Sequence, residues 1–203
     1  PAILNVWFGG TETGHAIADV LFGDVNPSGK LSATFPQNVG QIPIYYSHKN
    51  TGRPLEEGKW FSKFRSNYLD VSNDPLYPFG FGLSYTTFDI SAPNLNKTTM
   101  NAGGNIIIST TIKNTGTRDG AEVVQLYIRD LVGSITRPVK ELKGFQKIYL
   151  KAGESKQVSF TLSENDLKFY NANLDFVAEP GDFKVFVGNS SINVKEADFK
   201  LIK

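Results

Sequence analysis

The fold is decided at one stretch, Leu76-Tyr77-Pro78-Phe79-Gly80-Phe81-Gly82-Leu83-Ser84-Tyr85. Before this stretch the sequence mixes helical, loop-like and strand-like segments, and after it every apolar segment has the character of a strand. Its proline fixes one φ angle and offers no amide donor, while its two glycines free the backbone between aromatic side chains. A flexible linker would instead be polar and rich in Gly and Ser. The stretch therefore predicts a packed joint that holds a second module rigidly to a first.

Length and composition limit what the chain can be. Its 203 residues, 40% of them apolar, suffice for two modest domains, which we expect over residues 1–86 and 87–203. With 21 basic and 20 acidic residues the net charge is +1, which argues against a nucleic-acid partner or an anionic membrane surface. No apolar run approaches the roughly 20 residues that span a bilayer, so no membrane span is expected. The absence of cysteine excludes disulfides, a thiolate nucleophile and thiolate metal sites.

Residues 1–35 have the pattern of an α/β unit. The run at 3–8, apolar except for Asn5, is typical of a strand covered on both faces in an α/β sheet. After a glycine-rich turn, apolar residues recur at helical spacing over 15–22 and Gly23 follows, which predicts a helix that ends there. Residues 31–35 alternate like a half-buried strand. Because the run at 3–8 has no element ahead of it, we expect the chain to begin inside a larger protein.

The segment 37–75 has no clear periodicity and is rich in aromatic and charged residues. A long irregular segment of this kind in a compact protein is typically functional or poorly ordered. Sugar rings stack on aromatic faces and their hydroxyls pair with Arg and carboxylates, so the segment could form a saccharide-facing rim. A loop that merely covers the joint is the alternative. The residues concerned are Tyr45, Tyr46, His48, Arg53, Glu56, Glu57, Trp60, Phe61, Phe64, Arg65, Tyr68 and Asp70.

After the joint, strand patterns alternate with turn residues. A short helical turn through residue 169 is predicted because Ser163 can cap it, with an acid three residues on. About seven short strands at this spacing predict a β-sandwich of immunoglobulin or fibronectin type III character, without a cysteine pair. The strands are predicted at 87–90, 106–112, 123–128, 144–150, 158–162, 183–188 and 192–202.

Few residues carry an obvious chemical motif. His15 and His48 are too few for a metal cluster, so neither a metal nor a cofactor is predicted. The glycine turn at 9–14 matches neither the dinucleotide fingerprint nor the P-loop, and a plain tight turn is favoured over a phosphate site. No serine has the G-x-S-x-G pattern of a nucleophile. Acids that could include a pair for glycoside chemistry are Glu12, Asp19, Asp24, Glu56, Glu57 and Asp70.

Several ordered motifs together resemble the C-terminal part of family 3 glycoside hydrolases, and within that family most closely the periplasmic β-glucosidases. The resemblance covers nearly the whole chain, which makes it far more specific than any single motif. In the first half it is carried by residues 7–24, Asn26-Pro27-Ser28-Gly29-Lys30-Leu31, Thr34-Phe35-Pro36 and the joint. In the second half it is carried by Gly120-Ala121-Glu122-Val123-Val124-Gln125-Leu126-Tyr127, residues 137–145 and Ala178-Glu179-Pro180-Gly181.

The resemblance implies a parent with a (β/α)8 barrel, an α/β sandwich domain and a terminal fibronectin type III-like domain. Residues 1–86 would be the end of the α/β sandwich domain, and residues 87–203 the all-β fibronectin type III-like sandwich. The family's nucleophile is an Asp of the barrel and its acid/base usually a Glu on a sandwich loop. Neither motif has a matching stretch here, so no catalytic residue is carried over.

The segment 52–70 resembles a family segment near the active-site entrance. Arg65, Tyr68 and Trp60 are therefore candidate substrate-binding residues of the rim. At Ser66-Asn67-Tyr68 the chain departs from the Ser-Arg-Tyr that the family often shows, so an arginine contact is not carried over at that point.

The resemblance predicts the C-terminal fragment of a retaining, exo-acting β-glycosidase of the β-glucosidase type that is periplasmic or secreted. The parent would act on an oligosaccharide or β-glucoside, and the fragment itself would be structural and inactive. We expect its partners to be the missing barrel and sandwich segments, or a second copy that covers the exposed sandwich face. A non-catalytic carbohydrate-binding or adhesion module is the alternative. Xylosidases and arabinosidases of the family share the architecture, so the sugar stays open.

Overall fold

Two parts of unlike architecture meet at the joint. The computed structural model of the protein describes residues 2–56 and 58–203. The part before the joint is largely irregular backbone with one helix, and the part after it is a β-sandwich. No helix in the described part of the chain is long and apolar enough to cross a bilayer.

Helix α1 spans Thr13–Phe22 and confirms the predicted helix, with a start two residues earlier than expected. It ends at Gly23, whose left-handed backbone (φ 85°) lets its amide donate to the carbonyls of Asp19 and Val20. A residue with a Cβ would be strained in this conformation, which explains why glycine ends the helix. A 3₁₀ turn, Val39–Gln41, follows further along the chain.

The strand predicted at residues 3–8 is wrong. No strand is assigned there, and Ile3, Trp7 and Phe8 are largely exposed. A strand needs neighbours for its amides and carbonyls, and a run that is apolar on both faces needs a layer on each side. The described residues provide neither, so the apolar pattern is present without the sheet that it would belong to.

The strand predicted at 31–35 is present only as a bridge. The Phe35 amide donates to the Tyr77 carbonyl at 2.9 Å, and the Leu31 amide donates to the Phe81 carbonyl at 2.8 Å. The segment therefore runs antiparallel along the joint itself and ties the first part to it.

The second part contains eleven strands in the described chain. All seven predicted strands are present, together with four additional strands of two or three residues, which are too short to leave a sequence pattern. The strands are β1 Phe88–Ile90, β2 Asn94–Leu95, β3 Thr99–Asn101, β4 Asn105–Asn114, β5 Gly120–Asp130, β6 Glu141–Leu150, β7 Ser155–Ser163, β8 Phe169–Tyr170, β9 Phe176–Val177, β10 Gly181–Gly188 and β11 Val194–Ile202.

The strands form two facing sheets and a small hairpin. In one sheet β4 is the central strand, with β7 along one edge and β1 and β2 along the other. The second sheet has the order β3-β11-β10-β5-β6. Every pairing in these sheets is antiparallel except that of β3 with β11. Strands β8 and β9 form the hairpin. Helix α2, Glu164–Leu167, is capped by Ser163, whose amide and hydroxyl both donate to Asp166. It ends two residues before the predicted limit, because strand β8 begins at Phe169.

The hydrophobic core lies wholly in the β-sandwich. Alternate residues of each long strand point inward, as in β4, where Ile106, Ile108 and Ile112 are fully buried. Each such side chain contributes about 1.5–3 kcal/mol when it leaves water. Among the described residues before Thr87, by contrast, only Gln41, Gly80 and Thr86 are buried. The first part therefore has no apolar core of its own and depends on the surfaces against which it lies.

Candidate functional site

The joint is packed by aromatic rings, as the sequence predicts. Tyr46 stacks on Phe79 with ring centroids 4.4 Å apart, and its edge meets Tyr127 of β5 at 5.7 Å. Tyr77 stacks on Phe81 at 5.2 Å. Such pairs add about 0.5–1.5 kcal/mol each to simple area burial. The joint thus seats residues of the first part on the outer face of the five-stranded sheet.

A buried amide fixes the backbone of the joint. Gln125 donates from Nε2 to the carbonyls of Gly80, at 3.1 Å, and Asn189, at 2.8 Å, and its Oε1 accepts the Tyr127 hydroxyl. Gly80 has φ 79°, and a Cβ there would lie 2.1 Å from Gln125 Oε1. Both the positive φ angle and the lack of space for a Cβ therefore require glycine at this position. Burial, with a smaller contribution from Tyr46, raises the pKa of the Tyr127 hydroxyl far above its ordinary value, so Tyr127 remains a donor.

A buried ion pair crosses the joint. Lys30 Nζ lies 2.6 Å from Glu122 Oε1, and the two side chains are only 11% and 6% exposed. Lys30 also donates to the Gly82 carbonyl at 2.9 Å. Glu122 accepts in addition from the Val123 amide at 2.7 Å and from Asn189 Nδ2 at 3.3 Å. The pair therefore belongs to a network that joins both parts of the chain.

Asn26 links the same parts on the other side of the joint. Its Nδ2 donates to the Asp119 carbonyl at 2.9 Å, while its Oδ1 accepts the Ser84 hydroxyl and the Tyr85 amide, each at 2.8 Å. The Tyr85 hydroxyl in turn donates to the Val20 carbonyl of α1 at 2.7 Å. One asparagine thus fixes the end of the joint between the helix and the β-sandwich.

An open groove of about 550 Å³, here called the aromatic groove, lies between the 44–75 segment and two loops of the β-sandwich. Tyr45 and Trp60, 60% and 55% exposed, are among its lining residues. Polar side chains also line this groove. The first part contributes Thr34, Tyr45, Tyr46, His48, Glu56, Trp60, Ser66 and Asp74 among others, and the β-sandwich contributes Val139, Lys140, Ser191 and Ile192.

The predicted rim residues are only partly brought together. Trp60 lines the aromatic groove. Arg65 is not a lining residue but pairs with the groove residue Glu56 at 3.8 Å, with both side chains exposed. The Tyr68 hydroxyl donates to the Gln41 carbonyl at 3.4 Å, which places Tyr68 in the support of the loop. Glu57, one of the candidate acids, lies outside the described residues.

Gln41 holds the irregular segment in place, although sequence analysis did not identify it as a functional or structural residue. It is fully buried, its Nε2 donates to the carbonyls of Ser72 at 2.9 Å and Asp74 at 3.0 Å, and its Oε1 accepts the Gln37 amide at 2.5 Å. Because the contacts with Ser72 and Asp74 join residues more than 30 positions apart, no local pattern indicates them. The irregular segment is therefore held by side-chain hydrogen bonds in place of regular secondary structure.

The β-sandwich wall of the groove is anchored by Arg137. This arginine donates to Glu141 at 2.8 Å, lies 4.1 Å from the centre of the Phe169 ring and is 3.8 Å from Asp130. Burial raises the pKa of the Asp130 carboxyl, and the Val132 amide and then Arg137 oppose that shift. Two residues after Arg137, Val139 contacts the 44–51 loop.

That contact is made by backbone. The Val139 amide donates to the His48 carbonyl at 2.9 Å, and Lys49 forms a bridge with Pro138. No group of three or more His, Asp or Glu side chains in the described ranges could hold a metal ion. The aromatic groove is thus a surface of rings, amides and hydroxyls shared by both parts.

Comparison with known families identifies both parts. Residues 1–85 match the glycosyl hydrolase family 3 C-terminal domain, and residues 122–191 match the fibronectin type III-like domain. The two matches confirm the predicted fold class, the end of an α/β sandwich domain followed by a fibronectin type III-like β-sandwich. The chain belongs to glycoside hydrolase family 3 and corresponds to the C-terminal part of its members.

Individual relatives agree with this assignment. The periplasmic β-glucosidase of Salmonella typhimurium is 55% identical over 99% of the chain, which covers 26% of that protein. A β-xylosidase of Formosa agariphila is 45% identical over the full chain, again 26% of the relative. The crystal structure of a β-glucosidase from Listeria innocua superposes with a TM-score of 0.92 at 47% identity, covering 97% of this chain and 27% of that one. The chain therefore spans about a quarter of the length of these relatives.

Proposed function

We propose that the chain is the C-terminal region of a retaining, exo-acting β-glycosidase of the β-glucosidase type, which hydrolyses terminal β-linked sugars of oligosaccharides or β-glucosides. The names of the relatives support this activity, and so does the Listeria innocua β-glucosidase, which has been solved in complex with glucose and with laminaribiose. A β-xylosidase among the relatives supports the same chemistry on another sugar.

The observation that carries the proposal is the aromatic groove. Its two exposed rings, Tyr45 and Trp60, lie among amide, hydroxyl and carboxylate groups. Flat rings pack against the C–H faces of a pyranose, and the polar groups bind its hydroxyls. In the proposed enzyme Trp60 contacts the sugar, whereas Arg65 holds the groove acid Glu56, and Tyr68 supports the loop through Gln41.

Retaining hydrolysis uses two carboxyl groups, one as nucleophile that forms a covalent glycosyl-enzyme and one as acid and then base. In our proposal the preceding segments of the enzyme supply both groups, and this chain supplies none. Its task is structural, because the β-sandwich fixes the first part through the joint and contributes one wall of the groove. The chain alone is then inactive.

The proposal extends to partners and location. The exposed side chains of Ile3, Phe8 and Phe22 are apolar surface that the preceding barrel and sandwich segments would cover. In their absence a second copy of the chain would cover it, so the isolated chain should associate with itself. The periplasmic relative supports a periplasmic or secreted enzyme.

Hydrolysis of an aryl β-glucoside tests the proposal. We expect no turnover by the 203-residue chain, and turnover by the enzyme that includes the preceding segments. In that enzyme Trp60→Ala should raise KM about tenfold, since the loss of one aromatic stack corresponds to about 1.4 kcal/mol. Phe64→Ala is the matched control, because Phe64 is an exposed ring of the same segment and is absent from the groove lining. Turnover by the chain alone at a rate comparable to the whole enzyme would refute the inactive role.

A further inference from the structure

A second pair of exposed rings lies on the β-sandwich, away from the aromatic groove. Phe145 and Tyr149 of β6 are 67% and 62% exposed. Exposure alternates along this part of the strand, so Phe145, Lys147 and Tyr149 share the outer face of the sheet. At about 3.3 Å per residue the backbone positions of Phe145 and Tyr149 lie roughly 13 Å apart. We call this row the β6 stripe.

The β6 stripe leads into a separate groove. An open space of about 840 Å³ lies between the turn after α1 and strands β5 and β6, and Tyr149 and Lys147 form its β6 wall. It shares none of its lining residues with the aromatic groove. The polar groups that line it are Asp24, Asn26, Ser28, Arg118, Asp119 and Lys147.

The ring at the mouth of this groove is held in a fixed orientation. The Tyr149 hydroxyl donates to Asp119 Oδ2 at 3.2 Å, and Asp119 Oδ1 accepts the Ala152 amide at 2.8 Å. A ring that is exposed yet held by hydrogen bonds loses little conformational freedom when a ligand stacks on it. Tyr149 therefore offers a preorganised platform.

The charges of the groove balance. Two cations, Arg118 and Lys147, face two acids, Asp24 and Asp119. Neither an anionic nor a cationic ligand is favoured by such a set, whereas a neutral, hydroxyl-rich ligand can donate to the acids and accept from the cations. The flat rings of the stripe require that the same ligand has an apolar face. A β-linked neutral oligosaccharide combines both properties.

We propose that the β6 stripe and the adjoining groove bind a neutral β-linked oligosaccharide, with one sugar on Tyr149 and the chain running toward Phe145. This site is separate from the aromatic groove and performs no bond cleavage. In a longer enzyme it would keep a saccharide chain near the protein between encounters with the hydrolytic site. The inference does not depend on the proposed hydrolase activity.

Calorimetric titration of the 203-residue chain with cellohexaose tests the site. We expect saturable binding that Tyr149→Ala weakens about tenfold and that Phe145→Ala weakens several-fold, while Tyr149→Phe, which keeps the ring, stays within about threefold. Tyr170→Ala is the matched control, since Tyr170 is also 62% exposed but lies on β8. Circular dichroism of each variant establishes that the sandwich is intact.

Three results would overturn the inference. The first is an absence of binding at millimolar cellohexaose. The second is binding that Trp60→Ala abolishes and Tyr149→Ala does not, which would assign the sugar to the aromatic groove. The third is tighter binding of hexagalacturonate, an anionic chain, than of cellohexaose. Because the assay measures binding without hydrolysis, an absence of binding would not contradict the proposed glycosidase activity. Likewise, an absence of hydrolysis by the longer enzyme would not contradict the proposed binding site.

Discussion

Replacement of Lys30 by Met should release the first part of the chain from the β-sandwich. At the observed 2.6 Å separation and an effective dielectric constant of about 20, the attraction between Lys30 and Glu122 is about 6 kcal/mol before the cost of desolvating both ions. Removing one partner of a buried pair typically costs 3–5 kcal/mol, because the other charge is left buried. Glu122 keeps the Val123 amide and Asn189 as donors, so we expect a loss near 3 kcal/mol.

The two tryptophans make the measurement selective. Trp7 and Trp60 both precede the joint, so tryptophan fluorescence reports on the first part, whereas far-ultraviolet circular dichroism reports mainly on the β-sandwich. In urea the fluorescence transition of Lys30→Met should shift downward by about 1–3 M, given denaturant slopes of about 1–3 kcal/mol per M. The transition seen by circular dichroism should stay close to that of the unmodified protein, because the sandwich has its own core.

Two further variants control this experiment. Lys200→Met removes an exposed pair with Asp182, with 56% and 65% exposure, and should cost less than about 1 kcal/mol. The double variant Lys30→Met with Glu122→Leu should recover most of the loss, since no charge is then left buried. A fluorescence transition of Lys30→Met within about 0.5 kcal/mol of the unmodified protein would show that the pair does not hold the two parts together.

Three other substitutions probe the joint and its surroundings. Gly80→Ala should cost about 2 kcal/mol or more, measured by the same fluorescence transition, because its φ of 79° is strained for alanine and the new Cβ would meet Gln125. Tyr127→Phe should cost about 1–2 kcal/mol at neutral pH. Its stability should then fall less than that of the unmodified protein above about pH 10 in thermal unfolding, since the pKa of Tyr127 is raised in the folded state and alkaline ionisation therefore favours unfolding. Asn26→Ala, which removes three hydrogen bonds, should lose about 2 kcal/mol and speed limited proteolysis before the joint, and an unchanged cleavage rate would contradict its linking role.

The β-sandwich was largely predictable because its information is local. Strands such as β4 and β7 bury every second residue over most of their length, and the apolar residues of the sequence recur with the same period. The run at 3–8 carried an equally clear apolar pattern and yet forms no strand among the described residues. An apolar pattern indicates which side chains a segment tends to bury. To form a strand, the segment also needs hydrogen-bonding neighbours, which the described chain does not provide for residues 3–8.

The candidate site was predictable in its residue types and much less in its geometry. The aromatic and charged content of 37–75 left two interpretations open, a sugar-facing rim and a loop that covers the joint, and of the predicted rim residues Trp60 lines the aromatic groove. The contacts that hold the site, such as those of Gln41 and Gln125, join residues more than 30 and more than 40 positions apart. A single glutamine in a sequence carries no sign of such a partner, so the supports of the site could be found only from coordinates.

The shared walls of the aromatic groove limit how freely family members can be recombined. A chimera that grafts a fibronectin type III-like domain from another enzyme onto this first part would replace Val139, Lys140, Ser191 and Ile192, and with them one side of the cleft. If the aromatic groove binds the sugar as proposed, such a graft would alter substrate preference even if every upstream residue were kept. In the proposed enzyme, domain exchange would then change specificity unless the two loops after β5 and β10 are retained from the host.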